Sequence, residues 1–299
     1  MRNPSTVSAA RIVKFAISLA VFAVSEAATF MSRLLGRKQP GTCVVLYYHS
    51  IPEDQRARFA NQLDAILRCA KPVGLNGRVV LAKGEHCAAI TFDDGFENFS
   101  LNAVPELQKR GIPATMFVIS AAIGKAFGPA NRSEKVMSLQ QIQALPEDLV
   151  TIGSHTSTHP LLPAVTEENA LRELVESRTE LEKMLDREIP LFSFPFGGFN
   201  ERLVALCRQA GYQRVFTTLP YFAFANPDEF VVGRVRVDPT DWPLEFRLKV
   251  AGAYRWLPLA FVWRRRILTN GISRVARGPR SASPEKAVPQ SMIREWSGR

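Results

Sequence analysis

The sequence predicts an α/β protein in which about seven parallel strands, each followed by a helix, close into a barrel. Three observations carry this. Short apolar, β-favouring runs alternate with helical patterns from Cys43 to Val237, as in chains of βα units that feed one parallel sheet. The best formed of these runs, such as Ala89-Ile90-Thr91-Phe92, suit strands buried on both faces. The residues able to do chemistry follow the ends of such runs, and parallel α/β folds carry their sites at the carboxyl ends of strands.

The 299 residues suffice for one large core. The net charge of +10 sits at the ends: residues 1–40 carry +5 and residues 264–299 carry +7, leaving −2 for residues 41–263. A nucleic-acid reader would carry a basic stripe with interleaved aromatics on its folded body, so nucleic acid is not the expected partner. Basic ends beside apolar segments suit an anionic membrane surface. Three parts follow: a membrane-associating segment and linker over 1–40, a barrel over 41–263, and a basic, Pro- and Ser-rich tail over 264–299 predicted to be disordered. Cys43, Cys69, Cys87 and Cys207 show no metal or redox spacing and read as buried free thiols.

Ile12 to Val24 are apolar apart from Lys14 and Ser18, behind Arg2 and Arg11, a pattern shared by signal peptides and signal anchors. Phe15–Val24 is short for a membrane span, and extension to Met31 takes in Glu26. Helical spacing lines Arg11, Lys14, Ser18, Ser25 and Thr29 along one side, which favours a helix lying in the membrane interface. Basic residues on both flanks leave its orientation open.

Cys43-Val44-Val45-Leu46-Tyr47-Tyr48 is the first strand and runs into His49. A helix from Arg56 to Ala70 follows, with Phe59, Leu63, Ile66 and Leu67 on one face. The strand Ala88–Phe92 ends in Asp93-Asp94-Gly95, where the glycine lets the chain turn and both acids face one cavity. The plain alternative, an N-cap for a helix starting near Asn98, is common for an isolated Asp-Asp-Gly. A helix to Arg110 stops at Gly111, and Ala114–Ile119 is the next strand. Gly124–Ser133 reads as loop, and Ser138-Leu139-Gln140-Gln141 as a capping box. Leu149–Gly153 leads into Ser154-His155-Thr156-Ser157-Thr158-His159-Pro160, after which Thr166 caps a helix to Asp186. Leu191–Phe194 is broken by Pro195-Phe196-Gly197-Gly198; a helix Glu201–Ala210 and strands Arg214–Thr218 and Val231–Val237 complete the alternation. Leu244–Trp256 is amphipathic, and Leu257–Trp263 runs into Arg264-Arg265-Arg266, a second candidate membrane contact.

His155 and His159 are four apart after a strand end. If the turn there is helical, both imidazoles reach one metal ion. With one acid of Asp93-Asp94 they form a set of two histidines and a carboxylate, which leaves coordination positions open for catalysis.

Thr91-Phe92-Asp93-Asp94-Gly95, His155-Thr156-Ser157-Thr158-His159-Pro160 and Phe194-Pro195-Phe196-Gly197 resemble, in order, the three leading motifs of the polysaccharide deacetylases, the NodB-homology carbohydrate esterases. The similarity covers roughly residues 41–240, and Tyr47-Tyr48-His49-Ser50-Ile51 is similar to the opening of the branch acting on extracellular poly-N-acetylglucosamine. The resemblance implies a distorted (β/α) barrel in a bacterial cell envelope and removal of acetyl groups from an N-acetylated glycan. It implies a divalent metal, zinc first and Co, Ni, Mn or Fe as alternatives, held by Asp94, His155 and His159. Asp93 would take a proton from the attacking water, and the backbone N–H of Phe196, after Pro195, would stabilise the oxyanion.

Two departures stand out. Where the family carries an arginine that steers the base, this chain has Ser193, with Arg234 or Arg236 as possible substitutes; each reads by default as a surface or structural arginine. No histidine follows His159, so the general acid is assigned to His49, while His86 precedes its strand and belongs at the opposite end of the barrel. Trp242 is a candidate for lining a sugar groove, with Phe196, Phe199, Tyr221 and Phe222 left open. The rivals are a catalytically impaired carbohydrate-binding relative and a hydrolase of another non-peptide amide. A non-haem iron oxygenase, which shares the ligand set, predicts an all-β pattern that this chain lacks.

Overall fold

The structure, a computed structural model, describes residues 8–131 and 133–259. The expected tail, the Arg264-Arg265-Arg266 cluster and the segment from Ala260 to Trp263 lie outside the described residues. In chain order the elements are α1 (Ala9–Leu34), β1 (Thr42–Tyr48), α2 (Arg56–Cys69), β2 (Lys71–Pro72), β3 (His86–Phe92), α3 (Val104–Arg110), β4 (Ala114–Val118), β5 (Ala126–Phe127) and β6 (Glu134–Lys135). There follow α4 (Leu139–Gln143), β7 (Val150–Ser154), α5 (Glu167–Leu185), β8 (Leu191–Ser193), α6 (Glu201–Gln209), β9 (Arg214–Phe216), β10 (Val231–Val232), β11 (Val235–Arg236) and α7 (Pro243–Val250).

The main sheet is wholly parallel and runs β10-β9-β8-β7-β4-β3-β1-β11, with β2 added beside β3. Its two edge strands are neighbours in sequence. Only Gly233 and Arg234 separate β10 from β11, so the sheet curls until its edges nearly meet. The expected single strand Val231–Val237 is thus two short strands at opposite edges. Gly233 makes the splice possible, because a Cβ there would run into the carbonyl oxygen of Leu219.

Strand pleating assigns each side chain to one of two cores. Along β1 and β3, Val44, Leu46, Tyr48, Ala88, Ile90 and Phe92 pack outward with helix residues such as Phe59, Leu63 and Leu107. Cys43, Val45, Cys87 and Ala89 point inward with Phe117, Leu191 and Phe216. Thr91 and Asp93 continue the inward parity of β3, and Tyr47 and His49 that of β1. The core strands therefore aim both candidate proton-transfer residues into the barrel.

The helix signals act locally as their chemistry requires. The Thr166 side chain accepts from the Asn169 N–H at 3.3 Å, Ser138 and Gln141 form the expected capping box, and α3 ends on left-handed Gly111. Three local expectations change. Gly124–Ser133 is not plain loop: it carries β5 and runs into β6, the two strands of an antiparallel hairpin. Cys69, at the end of α2, is exposed, whereas Cys43, Cys87 and Cys207 are buried free thiols. Leu67 turns outward, since its position falls beyond the arc of α2 that faces the sheet.

Candidate active site

At the end of β3 the chain passes Asp93 and then turns through two left-handed residues, Asp94 (φ 73°) and Gly95 (φ 79°). The reversal at Asp94 lets two consecutive acids share one cavity. Asp93 is 3% exposed and Asp94 8%.

The histidine segment is not helical. After β7 it bends through left-handed Thr156 (φ 67°) and His159 (φ 63°), so a folded loop, in place of the expected helical turn, brings the two rings together at 4.8 Å between centroids. Thr156 Oγ1 accepts from the His159 N–H at 2.9 Å. Glu173 on α5 accepts from the N–H groups of Ser157 and Thr158 at 2.9 and 2.8 Å and from the Thr158 hydroxyl at 2.6 Å. One carboxylate thereby fixes the loop.

His155 Nδ1 donates to the carbonyl of Ser193 at 2.8 Å, which leaves Nε2 as the lone-pair nitrogen. Asp94 Oδ1 lies 3.5 Å from the Nε2 of both His155 and His159 and is a buried oxygen without a hydrogen-bond partner. A buried carboxylate oxygen is not normally left so. Donors about 2.0–2.2 Å from a tetrahedral zinc ion stand roughly 3.4 Å apart. The spacing, the orphaned oxygen and the nitrogen and oxygen donors all fit a small divalent cation.

Burial pushes both acids up, and their partners outweigh it. For Asp94 the surrounding imidazoles of His155, His49 and His159 hold the carboxyl well below the usual carboxylate range. For Asp93 the main counterweight is the Arg234 guanidinium, followed by His155. Burial and the neighbouring His155 bring His159 down to about 4. Burial also lowers His155, but Asp93 and Asp94 carry it above its ordinary value. His49, half-buried after β1, is lowered by burial against the raising effect of Asp94 and Asp93.

Arg234, fully buried in the splice between β10 and β11, grips Asp93 with two parallel bonds of 2.7 and 2.8 Å. It also donates to Thr91 Oγ1 (3.0 Å), Ser193 Oγ (2.7 Å) and the Thr217 carbonyl (3.2 Å), and lies over the Tyr47 ring at 4.7 Å. Of the default readings of Arg234, surface or structural, the surface one is overturned: the residue is fully buried in the splice, and the small side chain of Ser193 leaves it room.

Phe196 sits in the left-handed region (φ 58°) and sets its ring 4.7 Å from that of His159; Phe127 of the β5–β6 hairpin flanks the same imidazole at 5.3 Å. The hairpin is tied to the His49 side of the site, where Glu134 accepts from Ser50 at 2.6 Å and from Asn98 at 2.6 Å. Pro195 is buried in the same turn as Phe196. Trp242 is elsewhere: its ring meets Phe15 of α1 at 5.6 Å and lies under Arg11 at 4.6 Å, because it follows β11 over the outside of the barrel. Phe199 stacks on Phe194 and Phe222 lies against His86, while Tyr221 is exposed. His86 opens β3, at the end of the strand away from the acids, and contacts Thr42 Oγ1 and the Val250 carbonyl. The sequence reading missed Phe127, Glu173 and Glu134, whose positions depend on which elements pack together. For Arg234 a signal did exist, in its place near the end of a late strand.

Comparison with known proteins agrees with this geometry. Residues 81–215 match the family model described as polysaccharide deacetylase. A Bacillus subtilis (strain 168) protein, YxkH, provisionally named a polysaccharide deacetylase, is 27% identical over 213 residues, 68% of this chain and 74% of its own. The solved structure of IcaB from Ammonifex degensii superposes with a TM-score of 0.60 at 25% identity, covering 72% of this chain and 98% of that one. The Streptococcus pyogenes deacetylase PplD, solved with acetate, shares the fold with a TM-score of 0.60 at 22% identity, over 71% and 99% of the two chains. Residues 81–215, which carry the motifs, thus match the polysaccharide deacetylases, and the curled parallel sheet around them is the fold of IcaB.

Proposed function

We propose that the protein is a metal-dependent hydrolase that removes acetyl groups from an N-acetylated polysaccharide of the bacterial cell envelope, with residues 41–263 as the catalytic unit. The observation that carries the metal is the orphaned Oδ1 of Asp94, buried 3.5 Å from two imidazole nitrogens. Asp94, His155 and His159 would hold the ion, zinc being the first choice for this donor set. A bound divalent ion supplies Lewis-acid chemistry at an amide carbonyl and at water.

The chain's own residues then divide the work. Asp93, ionised and held by Arg234, accepts the proton of the attacking water. The Phe196 N–H donates to the oxygen that becomes negative as the acetamide carbon turns tetrahedral. His49 hands a proton to the departing amine nitrogen. Its lowered proton affinity leaves it neutral at rest, so it must gain that proton during turnover. Phe127 and Phe196, on either side of His159, restrict water at the reacting carbon. The retained Asp93 favours an enzyme over an impaired carbohydrate-binding relative, because metal holding alone does not require a second, arginine-gripped acid.

The partner at the other end of the chain is a membrane surface. α1 is long and apolar enough to cross a bilayer by length and composition.

The deciding assay is acetate release from N-acetylglucosamine oligomers by the detergent-solubilised full chain, stripped of metal and reloaded with zinc or cobalt. Metal-dependent release that Asp93→Asn abolishes supports the proposal, and His49→Ala then tests the acid. Tight metal binding with no acetate released from oligomers would sink it and favour another amide.

A further inference from the structure

Among the described residues, contacts hold α1 along one side only. Arg11 donates to Glu245 at 2.6 Å and to the Thr240 carbonyl at 3.2 Å. Phe15 meets Trp242 at 5.6 Å between ring centroids. Ser18, fully buried, accepts from the Trp256 indole at 2.9 Å, and Ser25 accepts from Arg255 at 2.5 Å. With Phe22 these positions step by four and three, one face of a helix, and at 1.5 Å per residue they span roughly 21 Å.

The opposite face is of a different kind. At about 100° per residue it covers roughly half the circumference. Between Ile12 and Met31 every exposed residue except Glu26 is Ala, Val, Ile, Leu, Phe or Met, and Glu26 lies at the edge of the arc beside the docked face. Arg33, Arg37 and Lys38 follow, all exposed.

Four occupants of that arc can be compared. A second copy packed helix to helix covers a narrow seam, not half a circumference. A spanning helix gripped over this length would carry Asp241, Glu245 and Lys249, which form one buried ion cluster with Arg11, into hydrocarbon. A removable leader would strip Glu245 of its Arg11 partner and Trp256 of Ser18. A bilayer interface covers the whole arc at once, and the basic residues after it match anionic head groups.

We propose that α1 is a permanent part of the folded domain, seated on the barrel by its polar stripe and lying in the plane of an anionic membrane interface. This rests on the membrane reading above and fixes its geometry. The Arg11 end of α1 meets the segment just beyond the carboxyl end of β11. The Ser25 end meets Arg255, close in sequence to Val250, whose carbonyl contacts His86 at the amino end of β3. α1 therefore runs along the barrel axis, and a helix flat on the membrane turns the barrel's mouth sideways. The substrate it meets is a glycan lying along the membrane surface.

The test uses single cysteines in the full chain with exposed Cys69 replaced by Ser. Ser8→Cys and Lys38→Cys flank α1 and are probed in spheroplasts with a membrane-impermeant maleimide, before and after lysis. The proposal expects both to be labelled, or both to be protected, together. Ile17→Cys and Val24→Cys, in purified protein, should react at least tenfold more slowly once vesicles containing phosphatidylglycerol are added. Membrane-bound protein with Ser8→Cys and Lys38→Cys on opposite sides would overturn the docked geometry while leaving the membrane reading intact. Failure to float with vesicles, with Ile17→Cys and Val24→Cys already shielded in solution, would overturn both and point to a second copy or residues 260–299 as the cover.

Discussion

The Ser193 hydroxyl accepts a 2.7 Å hydrogen bond from the same guanidinium that grips Asp93, so the charge beside Asp93 comes not from position 193 but from the splice between β10 and β11. The charge is in place although residue 193 is a serine. Its removal should be visible in the pH profile. Asp93 is held below its ordinary 3.8 against the raising effect of burial, chiefly by Arg234. Arg234→Met should therefore move the acid limb of kcat/KM to higher pH. A depressed acid stabilises the fold above its unfolded value and loses that contribution as pH falls through its folded value. At pH 7 the variant should accordingly lose on the order of 3–5 kcal/mol in chemical denaturation. An unchanged acid limb would show that Arg234 does not tune the base.

The orphaned oxygen of Asp94 makes a prediction about ligand-linked stability. At a hundredfold excess over its dissociation constant, zinc should stabilise the wild-type chain by about 2.7 kcal/mol. Asp94→Asn should reduce this to near zero at the same concentration, read as the metal-dependent shift in Tm. A full shift in the variant would move the metal away from Asp94.

Without metal, His155 sets a distinct pH trend. Burial lowers its proton affinity, but Asp93 and Asp94 raise it above the ordinary 6.5. A raised histidine contributes stability in full below its unfolded value, and the contribution fades as pH rises through its folded value. The Tm advantage of metal-free wild type over His155→Gln should thus be largest near pH 6 and shrink by pH 9. With zinc present the trend reverses, because ligation requires the neutral ring. A flat difference in the metal-free protein would exclude this coupling.

Glu173 touches neither candidate acid, yet it holds the loop that carries both histidines. Glu173→Gln should weaken zinc binding by about 10–100-fold, as losses of supporting contacts around metal ligands do. The apparent KM for an acetylated oligomer should move less than the metal affinity. Unaltered zinc affinity would make Glu173 a helix-surface residue and nothing more.

The sequence made the fold legible because each strand carries its own signal. The run Val44–Tyr48, the turn at Gly95 and the caps at Thr166 and Ser138 are decided within a few residues. The acids and the two histidines could be read for the same reason. The helical turn considered for His155–His159 is replaced by a loop with left-handed Thr156 and His159, whose intervening residues Ser157 and Thr158 are held by Glu173, well along the chain. Trp242 was misplaced because its aromatic character is equally served by a groove or by a docked helix, and α1 supplied the helix. The role of Arg234 depended on the splitting of Val231–Val237 between two sheet edges, which no local periodicity encodes.

That splice has a consequence for how the site is completed. β10 and β11 join the sheet last in chain order, and the residue between them carries the counter-charge of Asp93. A portion of the chain that spans Asp93 to His159 but stops short of Gly233 contains both acids and both histidines, has an open seam and lacks the arginine that grips Asp93. Residues 81–215, the stretch matched by the family model, are such a portion. Closing the barrel and placing the counter-charge beside Asp93 both depend on Gly233 and Arg234, two residues that act as a clasp.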